Sequence, residues 1–263
     1  MTLDLPKFRL LDLSVALANN PYTDPPGLGP QIEYRDHKQG LAEMLGMFPG
    51  LKAEDLPGGE AWGVERLAMT AHNGTHMDAP WHYASTQDQG QPAMTIEQTP
   101  LEWCFQPGVK LDFRHFPDGY VVTAKDVAEE LARIGHALSP LEIVVVNTAA
   151  GAKYGQPGYV DTGCGMGREA TLYLTERGIR VVGTDAWSWD APFSFTRKRF
   201  AESGDPRIIW EGHKAGREIG YGQMEKLANL DRLPGDGFWI SCFPYKIERG
   251  SAGFVRAVAF LPA

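Results

Sequence analysis

Residues 71–83 read A-H-N-G-T-H-M-D-A-P-W-H-Y, and they gather His72, His76, Asp78 and His82 into one short stretch. The whole chain has seven histidines, and three of them fall within residues 72–82. Imidazole and carboxylate are the side chains that bind Zn²⁺, Mn²⁺ or Fe²⁺. A lone buried histidine is usually a hydrogen-bonded core residue. Three of them with an interleaved aspartate would be costly to bury without a common partner. A shared metal ion is the chemistry this spacing points to.

A helix suits the stretch poorly. It would turn Asp78 about 200° away from His76, and Gly74 and Pro80 oppose it. Positions 72, 76, 78 and 82 have the same parity, so an extended chain would place all four on one face. A straight strand would still hold the Cα atoms of His72 and His76 about 13 Å apart. The spacing therefore predicts a bend at Gly74, with Pro80 fixing the exit.

The elements around this stretch must hold it. Segments rich in β-branched and apolar residues predict strands at 8–17, 62–71, 109–113, 120–123, 143–147, 179–183, 238–242 and 255–261. Helices are predicted at 125–134, with Thr123 as N-cap and Asp126 completing a capping box, at 166–177 before Gly178, at 39–47 and at 223–229. Thirty glycines and 19 prolines imply many turns and loops; 19–30, N-N-P-Y-T-D-P-P-G-L-G-P, is one such loop. The pattern gives a mixed α/β, β-rich fold in a single domain over 1–263, not a doubly wound parallel sheet.

Composition narrows the function. Twenty-five basic against 33 acidic residues leave a net charge of −8, a poor match for a nucleic-acid partner. No apolar run is long enough to span a bilayer, and the first residues lack a secretory pattern. Cys104, Cys164 and Cys242 are widely spaced and odd in number, which fits a reducing cytoplasm. No G-x-S-x-G elbow appears. GCGMGRE at 163–169 lacks the context of a dinucleotide fingerprint.

H-N-G-T-H-M-D-A-P-W-H resembles the H-x-G-T-H-x-D-x-P-x-H signature of the cyclase family of metal-dependent hydrolases. That family includes bacterial kynurenine formamidases, isatin hydrolases and trans-dienelactone hydrolases. LDLSVAL at 11–17 is similar to its first strand, and GTDAWSWD at 183–190 to its V-G-x-D-x-x-S-x-D segment. The resemblance implies a swivelling β/β/α fold with His72, His76 and Asp78 as metal ligands and His82 as proton donor or acceptor. It assigns His213, in W-E-G-H-K, and Glu225, in Q-M-E-K, as further ligands. One or two Zn²⁺ or Mn²⁺ ions are implied, with Asp78 and Glu225 bridging if there are two. Asp185 and Asp190 either orient ligands or shape a turn. His37, His115 and His136 match no motif.

The implied reaction is hydrolysis of a C–N or C–O bond in a cyclic amide, lactone or aryl formamide. Phe48, Trp62 and Trp81 are candidate contacts to a flat aromatic or cyclic small molecule, with Trp187 and Trp189 near the motifs. The chain is longer than kynurenine formamidases, and its first loop differs from theirs. Its length and W-E-G-H segment favour the isatin-hydrolase-like reading. The alternatives are a kynurenine formamidase proper and a non-catalytic metal-binding protein on the same scaffold. A homodimer or homotetramer is implied by the resemblance alone.

Overall fold

The computed structural model describes residues 7–262. Its strands are β1 (Phe8–Asp12), β2 (Gln31–Arg35), β3 (Val64–Ala68), β4 (His76–Asp78), β5 (Thr86–Gln87), β6 (Gln91–Pro92), β7 (Phe105–Asp112), β8 (Val121–Val122), β9 (Ile143–Asn147), β10 (Gly165–Met166), β11 (Val181–Thr184), β12 (Gly222–Glu225), β13 (Phe238–Ser241), β14 (Ala252–Phe254) and β15 (Val258–Pro262). Its α-helices are α1 (His37–Met47), α2 (Pro80–Tyr83), α3 (Ala124–Ile134), α4 (Arg168–Thr175), α5 (Phe193–Ser203) and α6 (Glu211–Lys214).

Nine strands form one sheet in the order β1-β15-β13-β7-β9-β11-β12-β4-β14. The centre, β7-β9-β11-β12, is parallel, and both flanks are antiparallel. Every residue of β9, I-V-V-V-N, is buried, as a strand covered on both faces requires. Its side chains alternate between two cores. Val144 and Val146 pack with Val127 and Leu131 of α3 and with Ala170 and Leu174 of α4. Ile143 and Val145 pack with Leu11, Ile240 and Ala259, so the sheet curls and its outer strands close over its own centre.

Helix α3 is capped as its sequence predicts. Asp126 N donates to Thr123 Oγ1 at 3.3 Å, Thr123 N donates back to Asp126 Oδ2 at 2.8 Å, and Gly135 ends the helix at φ 73°. Several expectations change. Residues 120–123 hold only the short β8, which pairs with β10 outside the large sheet. Strand β1 stops at Asp12, and within 255–261 the strand begins only at Val258, as β15, with β14 lying just before the region. Helix α5 was not predicted.

The correction with most consequence is at 223–229, where a helix is expected and a strand is found. Gly222–Glu225 is buried throughout and pairs with β11 on one side and β4 on the other. The chain then turns through Lys226 and Asn229, both at φ 57°. A site between two open ladders outweighs the modest helix propensity of Gln, Met, Glu and Lys, because each of its backbone groups must find a partner.

Candidate metal centre and active site

The histidine stretch bends where glycine allows it. Gly74 has φ 63°, and a Cβ there would meet Leu17 Cδ2 at 2.7 Å. The turn delivers His72 from one side and leads into β4, where His76 and Asp78 share a face. The parity argument holds for that pair only. His82 lies on α2, which starts at Pro80, and one helical turn brings it back over Asp78.

Strand β12 completes the cluster. Gln223 pairs with Asp78, and Glu225 with His76; directly opposed residues of an antiparallel pair share a face. Glu225, a ligand by the resemblance but expected on a helix, is therefore buried on a strand at the centre of the site. His213 comes from α6, held by Asp190. Its Nδ1 lies 2.5 Å from Asp190 Oδ2, which also accepts from His213 N at 3.0 Å, while Gly212 N donates to Asp190 Oδ1 at 2.8 Å.

The polar atoms converge. His72 Nδ1 is 2.9 Å from Asp78 Oδ1, and His76 Nε2 is 3.2 Å from the same oxygen and 3.7 Å from Glu225 Oε2. His82 Nε2 and His213 Nε2 each lie 3.9 Å from Asp78 Oδ2. His213 Nε2 is 3.5 Å from Glu225 Oε1. Two groups of three, His72–Asp78–His82 and His76–Asp78–Glu225, bring ligand atoms within 4.8 Å of one another.

This donor set fits a divalent cation. His76 Nδ1 faces Gly74 O at 2.9 Å, so it donates its proton there and leaves Nε2 facing two carboxylates. His76 Nε2 and Asp78 Oδ1 are buried and have no hydrogen-bond partner. A cation satisfies both at once. The titrations reflect the same crowding. Burial alone would raise Asp78, yet His76, His72 and His82 together hold it well below the usual carboxylate range. Burial opposes charge on His76, and Asp78 outweighs it and raises the imidazole. His82 goes the other way, because burial pushes it down to about 4.

The cluster opens into a cavity of about 240 Å³, walled by Leu28, Trp187, Phe193 and Trp210, with His72, His82, His213, Glu225 and Lys226 at its polar end. Trp210 stacks on His213 at 4.4 Å and meets His82 edge-on at 5.0 Å. Phe48, Trp62 and Trp81, the residues expected to contact substrate, are not among these walls, which Trp187, Phe193 and Trp210 provide. Trp62 packs on α1, where its carbonyl oxygen lies 1.9 Å from the place a Cβ on Gly40 would take. Phe48 is exposed just beyond α1. Trp81 is one residue from His82 on α2, so it leaves the helix about 100° away. A larger open cleft of about 810 Å³, lined by Arg168, Arg207, Lys214 and Arg217, contains none of the clustered groups.

Other residues sort by contact. Asp190 touches His213 directly. Asp185 does not; it accepts from Thr148 N at 2.9 Å and Asn147 Nδ2 at 2.6 Å and ties down the chain after β9, and burial pushes its carboxyl up to about 7. His136 sits between Asp236 and Glu142, at 2.8 and 3.1 Å, away from the site. Trp210, Gln223, Lys226 and Asp24 escape sequence reasoning. The available signal was adjacency, since each of the first three lies within three residues of His213 or Glu225.

The chain has relatives with this architecture. It is 27% identical over 197 residues to a kynurenine formamidase of Erythrobacter litoralis, covering 74% of this chain and 76% of that one. It is 25% identical over 212 residues to an isatin hydrolase of Roseibium aggregatum, covering 74% of each. The solved structure of isatin hydrolase A from Ralstonia solanacearum superposes with a TM-score of 0.73 at 22% identity, over 97% of this chain and 92% of that one. Residues 11–191 match the family described as putative cyclase, and the chain belongs to that family.

Proposed function

We propose that the protein is a metal-dependent hydrolase that opens a cyclic amide or lactone, or cleaves an aryl formamide, with an isatin-hydrolase-like substrate favoured. The observation that carries this reading is the convergence of His76 Nε2 with Asp78 and Glu225 beside a cavity that His82 enters. His72, His76 and Asp78 would hold the ion, with Glu225 and His213 beside them. A divalent ion in such a set supplies an acidified water and a Lewis acid for the substrate carbonyl.

The chain's own groups do the rest. His82 is neutral at pH 7, so it accepts a proton from the attacking water and returns one to the leaving nitrogen or oxygen. Asp190 orients His213. Trp187, Phe193 and Trp210 offer faces and edges to a flat ring and exclude water. A thiol route is disfavoured, since burial pushes Cys164 up to about 12. The names of the two relatives support both leading substrate classes. The aromatic walls and the longer chain favour the isatin-like one.

Zn²⁺ or Mn²⁺ as the ion, a cytoplasmic setting, and a homodimer or homotetramer belong to the same proposal. Among the described residues, no helix is long and apolar enough to cross a membrane. The test is a panel of isatin, N-formylkynurenine, cyclic imides and dienelactones, assayed with protein loaded with Mn²⁺ or Zn²⁺. Turnover of at least one, abolished by chelator, is expected. Bound metal with no turnover of any would favour the non-catalytic scaffold.

A further inference from the structure

The net charge of −8 is not spread evenly. Residues 197–217 carry six basic and three acidic side chains, and part of that surplus lines the open cleft of about 810 Å³ beside α6. Glu211, Lys214 and Arg217 recur every three residues along α6 and the single turn that follows it, Ala215–Arg217. Residues at that spacing share a face. His213 leaves α6 about 200° round from Glu211, so it turns to the buried cluster while its neighbours line the cleft.

Four cations face two carboxylates there: Arg168, Arg207, Lys214 and Arg217 against Glu211 and Glu218. The carboxylates are already engaged. Glu218 accepts from Arg168 Nε at 2.8 Å and Nη2 at 2.6 Å, and Glu211 Oε2 accepts from Arg168 N at 3.2 Å where α4 begins. Arg207 folds back onto Asp205, at 2.9 and 2.8 Å. Among the described residues, Lys214 and Arg217 pair with no carboxylate, since those in reach are taken by Arg168 and Arg207. Burial raises the Glu211 carboxyl, and Arg199 of α5 is close enough to pull against it. Arg199 Nε is itself buried without a hydrogen-bond partner.

The cleft is thus positive on an acidic protein, and it is concave, with Gln89, Gly90 and Pro206 completing its walls. Its volume suits a small molecule, and guanidinium and ammonium groups gathered around one space are the chemistry that recognises phosphate. We propose that the cleft binds a small phosphorylated molecule, with Lys214 and Arg217 on its phosphate and Arg168 and Arg207 on the walls beside them. None of the clustered histidines lines the cleft, so the molecule is held there and not turned over, whatever the reaction at His82.

The test is calorimetric titration with inorganic phosphate at fixed ionic strength. It is run on wild type with and without Mn²⁺, and on the double variant Lys214→Ala with Arg217→Ala. One saturable site is expected in both forms of the wild type. The double variant should bind at least about 10-fold more weakly, as loss of charge-assisted hydrogen bonds implies. Both side chains are exposed, so the variant should keep its fold, and an unchanged thermal midpoint checks this. Lys52→Ala with Arg66→Ala removes two exposed cations outside the cleft and should bind phosphate as the wild type does. Equal weakening in both double variants would reduce the effect to overall charge and overturn the proposal. Binding confined to the Mn²⁺-loaded form would put phosphate on the ion, and absence of saturable binding would leave the cleft without its ligand; either result overturns it as well.

Discussion

Glu225 on β12 stands directly opposite His76 on β4, and its Oε2 lies 3.7 Å from His76 Nε2. Two residues far apart in sequence become one half of a candidate metal site because antiparallel pairing puts opposed side chains on the same face. Glu225→Gln keeps the shape and removes the charge. Competition with a chromogenic chelator is expected to show divalent-ion affinity lowered by about 10–100-fold, with the thermal midpoint of the metal-free protein unchanged or raised. Unchanged affinity would separate Glu225 from the centre.

His82 enters the cavity but is not needed to complete the His72–His76–Asp78 set. His82→Ala should lower kcat by about 10²–10⁴-fold, the usual contribution of a positioned acid–base group. Metal content, read by atomic emission, should stay the same. Loss of metal together with activity would recast His82 as a ligand.

The pH profile follows from the same side chain. An imidazole accepts a proton only when neutral, and burial lowers His82 to about 4, against an ordinary 6.5. The base form is therefore present above about pH 4 and is lost as pH falls through that value. A cation nearby shifts the balance further in the same direction. The acid limb of kcat/KM assigned to His82, identified by its disappearance in His82→Ala, should lie well below pH 6.5. A limb at 6.5 would mean a solvated His82.

Lys226 and Asp24 form a buried ion pair beside the cavity, and Lys226 Nζ also donates to His72 O at 2.9 Å. The pair fastens the 19–30 loop, which carries Leu28 to the cavity wall, onto the turn after β12. Asp24→Ala strands a buried ammonium group, at a cost of about 3–5 kcal/mol. Chemical denaturation should show a fall of that size, and Asp24→Ala with Lys226→Met should recover part of it. No change on Asp24→Ala would mean that the ammonium group finds water.

The sequence carried the local chemistry well and the long-range geometry poorly. The bend at Gly74 was legible because a short stretch with His72, His76 and Asp78 cannot converge without one. Strand β9 and helix α3 were legible because an unbroken apolar run and a capping box are local signals. Residues 223–229 were misread because the evidence for a strand is the pair of ladders on either side, and neither β11 nor β4 is visible from Q-M-E-K-L. Phe48, Trp62 and Trp81 stand out in the sequence only by their aromatic type and by flanking the motif and nearby loops. The cavity instead takes its walls from Trp210, near His213 in sequence, and from Trp187 and Phe193, which only the folded chain brings to His213 and His82.

The most direct test of the centre is a crystal grown with ample Mn²⁺ and measured for anomalous scattering. A strong peak is expected bonded to His72, His76 and Asp78 at about 2.1–2.2 Å, bond lengths ordinary for nitrogen and carboxylate ligands. The same three side chains turned away from one another, with no peak between them, would contradict the account.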